Sequence, residues 1–475
     1  MKNKNTIEKK LKETKDYIDS FNLSTCSLLT IESLNIKSTL SSFTFLDNKV
    51  SFFSKKGENF DKQKNYSSII TINSNDYLCD NTLYMGSDFD YDKNQHNYTF
   101  SFNILKNISF PEKGYFRYVS VSSEDQNPFP LLQCRNLEVK QKNVGFSGFI
   151  VTTEINKKHY HIFSHSIIED KSCLFIDCME EEQIDTFYNN CYSILVLLGF
   201  IKSKISQDYC YIIANKDNTF SSPISLTYNP NSFNYKLNEN IIFAHAHDIL
   251  NKNNLSKKEK QWHSFISEEV FKNMINHCFN SIEFLNSIIL ILLSNEYSLE
   301  AKPVCLSVAL EGLSGYLTKL NNLKTSELIT DKKEKDKFIQ TLIDSIPENL
   351  NDDSKRIISN RIKSNLLGTP NDSKLELPFP YYHIELREYE KNAIFNRNAF
   401  LHSHIHFDLW DKSVLSNQDF KKYYFESLVL EELLMKLIYK ASSYSGYYYN
   451  FVKKQENFIF GLIAPTYLGE LIEEL

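Results

Sequence analysis

Along the chain the spacing of hydrophobic positions changes period near the middle. Over roughly the first 170 residues the alternation is that of strands. Tyr98, Phe100, Phe102 and Ile104 interleave with Thr99, Ser101 and Asn103, the period of a half-buried strand. Tyr115, Phe116, Tyr118 and Val119, and then Phe149, Ile150 and Val151, are similar strand material. Asn156-Lys157-Lys158 followed by Tyr160, Ile162 and Phe163 reads as the return of a hairpin. A helix is expected over 180–200, with Ile184, Phe187, Tyr188, Cys191, Ile194, Leu195 and Leu198 as its stripe. Glu180, Glu181 and Glu182 are then expected in its first turn, where the helix dipole favours acids. A strand over 209–214 and a loop over 215–240, rich in Asn and Ser, come next.

Beyond a polar stretch at 251–260 the period becomes helical. Residues 262–293 form one long amphipathic pattern, and 303–320 a second, with Pro303 suited to a first turn. Leu306, Leu310, Leu313, Leu317 and Leu320 are its stripe. Helices are further expected over 332–346, 354–366, 382–402 and 419–442, with a loop over 368–380. The last 30 or so residues, with their clustered tyrosines, are expected to return as a short strand or tail. The pattern therefore predicts an α+β chain in two parts: a β-rich domain over 1–250 with one or two helices, and an all-helical domain over 251–475. No internal repeat is visible.

Composition narrows the classes. The chain has 475 residues, 42% hydrophobic and 14% aromatic, with 35 Phe and 28 Tyr. Such a chain buries sizeable cores, which excludes wholesale disorder. Only 12 Gly and 11 Pro exclude collagen-like and Pro-rich linker architectures. The N-terminus is charged for almost 20 residues and lacks the apolar segment of a secretory signal. The longest apolar run, at 288–293, is far short of the ~20 residues of a membrane span. Nine cysteines with no CxxC pair suit reduced, mostly buried thiols, and a cytoplasmic protein is expected. No His–Cys spacing suits a metal, and no Gly-rich strand-to-helix turn suits a nucleotide cofactor, so neither is expected. The net charge is −6, and 27 basic against 30 acidic side chains lie from residue 251 onward, so composition supplies no electrostatic carpet for nucleic acid. Only six of the 53 basic residues are Arg, at 117, 135, 356, 361, 387 and 397.

Two stretches carry candidate chemistry. The first is Asn396-Arg397-Asn398-Ala399-Phe400-Leu401-His402, late in a predicted helix. Asn398 and His402, four apart, share a helix face, whereas Arg397 is offset from His402 by about 140° and needs its length to converge with them. The alternative is an ordinary helix end, where Arg and His satisfy the last carbonyls. The second is 304–313, where Glu311 is the only charge between Lys302 and Lys319. A helix apolar nearly all round is buried, so Glu311 is expected to be buried and to pair with one of Arg356, Arg361, Arg387 or Arg397. That pair is either a structural lock or support for an active site. His404 and His406 are a second acid/base or substrate contacts, or else a frayed, solvated segment after the helix. His159/His161 and His245/His247 read as strand or loop histidines.

Taken together, the two stretches make the helical half, roughly 260–445, resemble a HEPN domain, a family of metal-independent ribonucleases and nucleotide-binding modules of defence systems. Its Arg-Asn-x-x-x-His motif matches Arg397, Asn398 and His402, and Ala309–Leu313 looks like the family's acidic helix. A β-rich region before such a domain is similar to the ApeA-like abortive-infection proteins. The resemblance implies an endoribonuclease that directs a 2′-OH at the adjacent phosphorus, acting as an anti-phage effector or toxin. It implies His402 as the proton-transfer group, Arg397 as the clamp on the phosphoryl oxygens, Asn398 as an orienting residue and Glu311 as the residue that positions Arg397. It further implies an RNA substrate such as tRNA, a homodimer through the helical half and a phage-derived trigger. The alternative is a non-catalytic HEPN-type module that binds a nucleotide or partner.

Overall fold

The computed structural model of the chain describes residues 6–22, 26–31, 36–38, 40–44, 49–54, 60, 65–72, 75–90, 95–102, 104–125, 132, 135–136, 149–237, 240–242, 266–299, 301–323, 331–365, 371–401, 417–460 and 470–475. The fold is α+β. Two units divide it: residues 1–236 with 265–279, and residues 237–264 with 280–475.

The first unit opens with helix α1 (Thr6–Asn22). A run of strands follows: β1 (Cys26–Ile31), β2 (Ile36–Ser38), β3 (Leu40–Thr44), β4 (Lys49–Ser54), β5 (Asn65–Ile72), β6 (Asn75–Asp90), β7 (Gln95–Ser101), β8 (Ile104–Asn107), β9 (Lys113–Ser122) and β10 (Arg135–Asn136). Then come β11 (Phe149–Ile155), β12 (Lys158–Ser164), β13 (Ser172–Cys178), β14 (Glu182–Gln183), helix α2 (Ile184–Lys202), β15 (Lys204–Gln207), β16 (Tyr209–Asn215), β17 (Pro223–Asn229) and β18 (Phe233–Lys236). Helix α3 (Glu268–Asn280) closes the unit. Sixteen strands form one sheet, in the order β10-β11-β12-β13-β9-β16-β17-β8-β6-β5-β1-β2, from which β7, β4 and β3 continue off β6. Lys272 of α3 pairs with Glu154 of β11 at 2.7 Å.

The hairpin at Asn156–Lys157 forms as the pattern predicts, with φ of 48° and 65° at its two turn residues. Both lie in the left-handed region that a two-residue hairpin of matching twist demands. On α1, Leu11, Thr14, Ile18 and Phe21 are buried along one stripe. The core beneath is aromatic: Tyr66, Tyr98, Phe100, Tyr211 and Tyr228 are buried, and the Phe60 ring lies 4.9 Å from that of Tyr98. A charge sits inside this core. Arg117 of β9 is 3% exposed, donates to both carboxylate oxygens of Asp177 at 2.7 and 2.6 Å, and reaches Thr14 of α1 at 2.7 Å. A buried guanidinium is tolerable because its donors are matched in this fork geometry.

Two expectations for this unit are corrected. The three acids at 180–182 do not enter the helix, which starts at Ile184 with Asp185 in its first turn. Glu182 is instead extended and buried in β14, accepting from Tyr160 and Lys158. The expected loop over 215–240 contains β17 and β18, because β17 pairs with both β16 and β8. Its polar residues Ser225, Thr227 and Asn229 are buried in that ladder. Helix α2 is long and apolar enough by composition to cross a membrane, but most of it is buried within the fold.

The second unit contains helices α4 (Ile282–Ser294), α5 (Ala301–Leu320), α6 (Lys332–Asp344), α7 (Asp352–Asn365), α8 (Asn371–Glu376), α9 (Pro378–Tyr381), α10 (Glu388–Leu401), α11 (Asn417–Ala441) and α12 (Phe451–Phe460). Short strands β19 (Tyr447–Tyr449) and β20 (Ile472–Glu474) pair with each other. Helix α5 is central, packing on α4, α10 and α11. Its Leu306, Leu310, Leu313 and Leu317 are buried, each contributing about 1.5–3 kcal/mol relative to exposure, whereas Leu320, expected in the same stripe, is exposed at the helix end.

Here too the pattern needed correction. The long helix over 262–293 is two, because Ser281 is extended and its Oγ accepts from Phe284 N at 3.2 Å, capping a new start. The expected loop over 368–380 holds α8 and α9, the latter with Pro378 in its first turn. The helix expected from 382 starts only at Glu388, after His383 at φ 60° has turned the chain. Among the described residues seven cysteines carry free thiols, six of them buried.

Candidate active site

The site is built on the last turn of α10. Among its described residues Glu390, Ala393, Ile394, Arg397 and Phe400 are buried. Their spacing is the inward stripe of a helix, so the fold turns the Arg of the motif into the protein. Arg397 is 1% exposed, and it is among the largest fully buried side chains. Its Nε lies 3.4 Å from Glu311 Oε1 on α5, and its Nη1 donates to Ile394 O at 3.1 Å. Of the four arginines offered as partners for Glu311, Arg397 takes the place. Arg387 binds Glu473, and Arg356 pairs with Asp353 at 3.2 Å on an exposed helix turn.

The expected burial of Glu311 is corrected. Its side chain is 45% exposed. Val308 and Gly315 on the same face of α5 are exposed as well. The second buried face of the helix runs through Ser307 and Ser314. Ser307 returns its hydroxyl to Pro303 O at 2.7 Å and so packs as a small core residue. The ion pair thus has one buried partner and one half in water.

The second wall of the site comes from α11. Glu426, 8% exposed, accepts from Asn396 Nδ2 at 2.9 Å. The Tyr423 ring stands 6.0 Å from that of Phe400. Asn398 lies in α10, but its side chain, with His402, His404 and His406, lies outside the described residues, as do His245 and His247. The expected convergence of Arg397 with Asn398 and His402 thus lies outside the described residues. His159 and His161 are on β12, and His159 Nδ1 is 2.9 Å from Glu180 Oε1. Among the described residues no group of His, Cys, Asp and Glu is arranged to hold a metal.

Sequence reasoning missed a second polar cluster in this unit. Lys436 of α11, 4% exposed, lies 3.0 Å from Glu390 Oε1 and 2.8 Å from Glu432 Oε1, with its ammonium 4.7 Å from the centre of the Tyr448 ring. Burial opposes the charge on Lys436, but the adjacent carboxylates outweigh it and hold its pKa above the ordinary value. Burial pushes the Glu432 carboxyl up in turn. Beside them Glu473 of β20 accepts from Tyr448, Arg387 and Asn450. Burial would raise its pKa, but these donors hold it below the usual carboxylate range. Glu432 and Lys436 at i, i+4 were a visible signal. Glu390 and Glu473 meet them only through tertiary packing. A pocket of about 380 Å³ opens on Arg387, Lys436, Lys440 and Tyr448.

No protein-family model, no curated protein and no solved structure matches this chain.

Proposed function

We propose that the helical part of this chain is a HEPN-type endoribonuclease acting in the cytoplasm as an anti-phage abortive-infection effector or toxin. The observation that carries the reading is the Arg397–Glu311 pair: the Arg of an Arg-Asn-x-x-x-His motif is held by the acid of a neighbouring helix. In this reaction the 2′-oxygen attacks phosphorus and the bond to the 5′-oxygen breaks. The products end in a 2′,3′-cyclic phosphate and a 5′-OH. One group takes the 2′-OH proton and another supplies a proton to the leaving oxygen. A histidine imidazole can take or give a proton in either step, the role assigned to His402, and Arg397 can stabilise the charged phosphoryl oxygens. A single motif His per chain leaves one proton transfer unassigned, and a homodimer that apposes two motifs supplies it. The β-rich unit would then receive the phage-derived trigger or dock the RNA.

The burial of Arg397 sets a condition on this chemistry. A guanidinium 1% exposed must be uncovered before it touches a phosphate. The same burial favours a second reading, a non-catalytic module in which Arg397 holds helices together and the motif end of α10 binds a nucleotide or partner. Purified protein with total RNA or tRNA in EDTA, followed by analysis of product ends, separates the two. Cyclic-phosphate ends that vanish in dimeric, folded Arg397→Met and His402→Ala variants support the ribonuclease. Equal cleavage by His402→Ala sinks it.

A further inference from the structure

Asn396 of α10 is hydrogen-bonded to one acid and Arg397 lies beside a second, and the two acids come from different helices. Asn396 Nδ2 donates to Glu426 Oε1 of α11 at 2.9 Å, and Arg397 Nε faces Glu311 Oε1 of α5 at 3.4 Å. Adjacent residues on a helix point about 100° apart. The buried stripe of Ala393, Ile394 and Phe400 seats the helix, and the polar contacts refine its roll. Two contacts about a quarter-turn apart, on separate supports, both oppose a change of roll. The Phe400–Tyr423 ring contact, at 6.0 Å, adds an apolar stop one turn further along.

We infer that Glu426 is a positioning residue of the candidate site, acting through Asn396 to set the roll of α10 and thereby the placement of Arg397; the inference rests on the ribonuclease reading above. A roll of about 10–20° is enough to take a catalytic group out of productive geometry, and a shift of about 1 Å can cost on the order of 100-fold in rate. The acceptor, rather than the charge, does this work. An amide at 426 can accept from Asn396 as the carboxylate does, and a methyl group cannot.

The test uses the full-length protein with Glu426→Ala, Glu426→Gln and Asn396→Ala. Two readouts are taken: kcat and KM for RNA cleavage, and the arginine Nε–Hε resonances of deuterated protein. With only six arginines in the chain that spectrum is sparse, and Arg397→Met assigns the signal of Arg397. Glu426→Ala and Asn396→Ala are expected to lower kcat by about 10- to 100-fold with KM nearly unchanged, and to shift the Arg397 resonance. Glu426→Gln is expected to restore both. Asn396→Ala removes the donor without touching the buried acid, so it keeps the test open if Glu426→Ala fails to fold. An unmoved Arg397 resonance in Asn396→Ala overturns the inference, as does Glu426→Gln behaving like Glu426→Ala. If the wild-type protein cleaves no RNA, the ribonuclease reading falls, and the resonance alone decides whether Glu426 sets Arg397.

Discussion

Arg397 and Glu311 form an ion pair whose guanidinium is 1% exposed and whose carboxylate is 45% exposed, with 3.4 Å between Nε and Oε1. The asymmetry makes the two partners unequal. Glu311→Gln removes the counter-charge of a buried guanidinium but leaves an amide oxygen that can face it, so it should cost about 1–2 kcal/mol. Arg397→Ala should cost about 2–4 kcal/mol, because it empties a large packed volume as well as removing the charge. Arg397→Met fills that volume and should fold within about 1 kcal/mol of wild type. Urea titrations of the three variants measure this order. Equal losses for Glu311→Gln and Arg397→Ala would contradict it.

Glu473 predicts an acid-limb dependence. Its pKa is lowered in the folded protein by Tyr448, Arg387 and Asn450 against the effect of burial. A group with a lowered folded pKa stabilises above its unfolded pKa, about 4.3 for Glu, and loses that contribution as pH falls through the folded value. The melting temperature of the helical unit should therefore decline from about pH 5 downward. Glu473→Gln should be less stable at pH 7 and should show a flatter slope between about pH 5 and pH 3. Calorimetry across that range decides it, and an unchanged slope in Glu473→Gln would remove Glu473 as the cause.

What the sequence announced, and what it hid, follows from where each interaction is closed. The hairpin at Asn156–Lys157, the stripe of α2 and the Leu stripe of α5 are local, and each was readable from spacing. The strand β17 was not, since Ser225, Thr227 and Asn229 read as loop residues and become strand only through pairing with β16 and β8. The pairing of Glu311 with an Arg is readable, but Glu311 is not buried, because Ser307 and Ser314 take the inner positions. The inward direction of Arg397 follows from the stripe Ala393, Ile394, Phe400, whose spacing is local. Glu426 and Asn396 are 30 residues apart and no local pattern links them.

The turn between β11 and β12 offers a gain. Lys157 holds φ at 65°, a conformation that costs an L-residue with a Cβ roughly 1–2 kcal/mol. Asn followed by Gly is the preferred pair for this turn. Lys157→Gly should stabilise the β-rich unit by about 0.5–1 kcal/mol, the strain relief being partly offset by the greater freedom of Gly in the unfolded chain. The denaturant midpoint should rise with no change in slope. A fall in midpoint would mean that the Lys157 side chain contributes more than its backbone costs.

Lys436 gives the sharpest stability prediction. It is the cation between Glu390 and Glu432, and both carboxylates are buried. Glu432 also accepts from Val452 N at 3.2 Å, in the first turn of α12, so its carboxylate ties α11 to the start of the next helix. Lys436→Met keeps most of the volume but leaves two buried acids facing each other, at an expected cost of about 3–5 kcal/mol near neutral pH. Burial already raises the pKa of Glu432, and Lys436 opposes that rise. Without Lys436 the folded pKa of Glu432 climbs further above its unfolded value. Stability is then fullest below the unfolded pKa and is lost as pH rises through the folded one. Lys436→Met should accordingly be closer to wild type at pH 5 than at pH 8. Urea unfolding at the two pH values measures the difference, and a deficit that stays constant between them would show that Lys436 acts through packing alone.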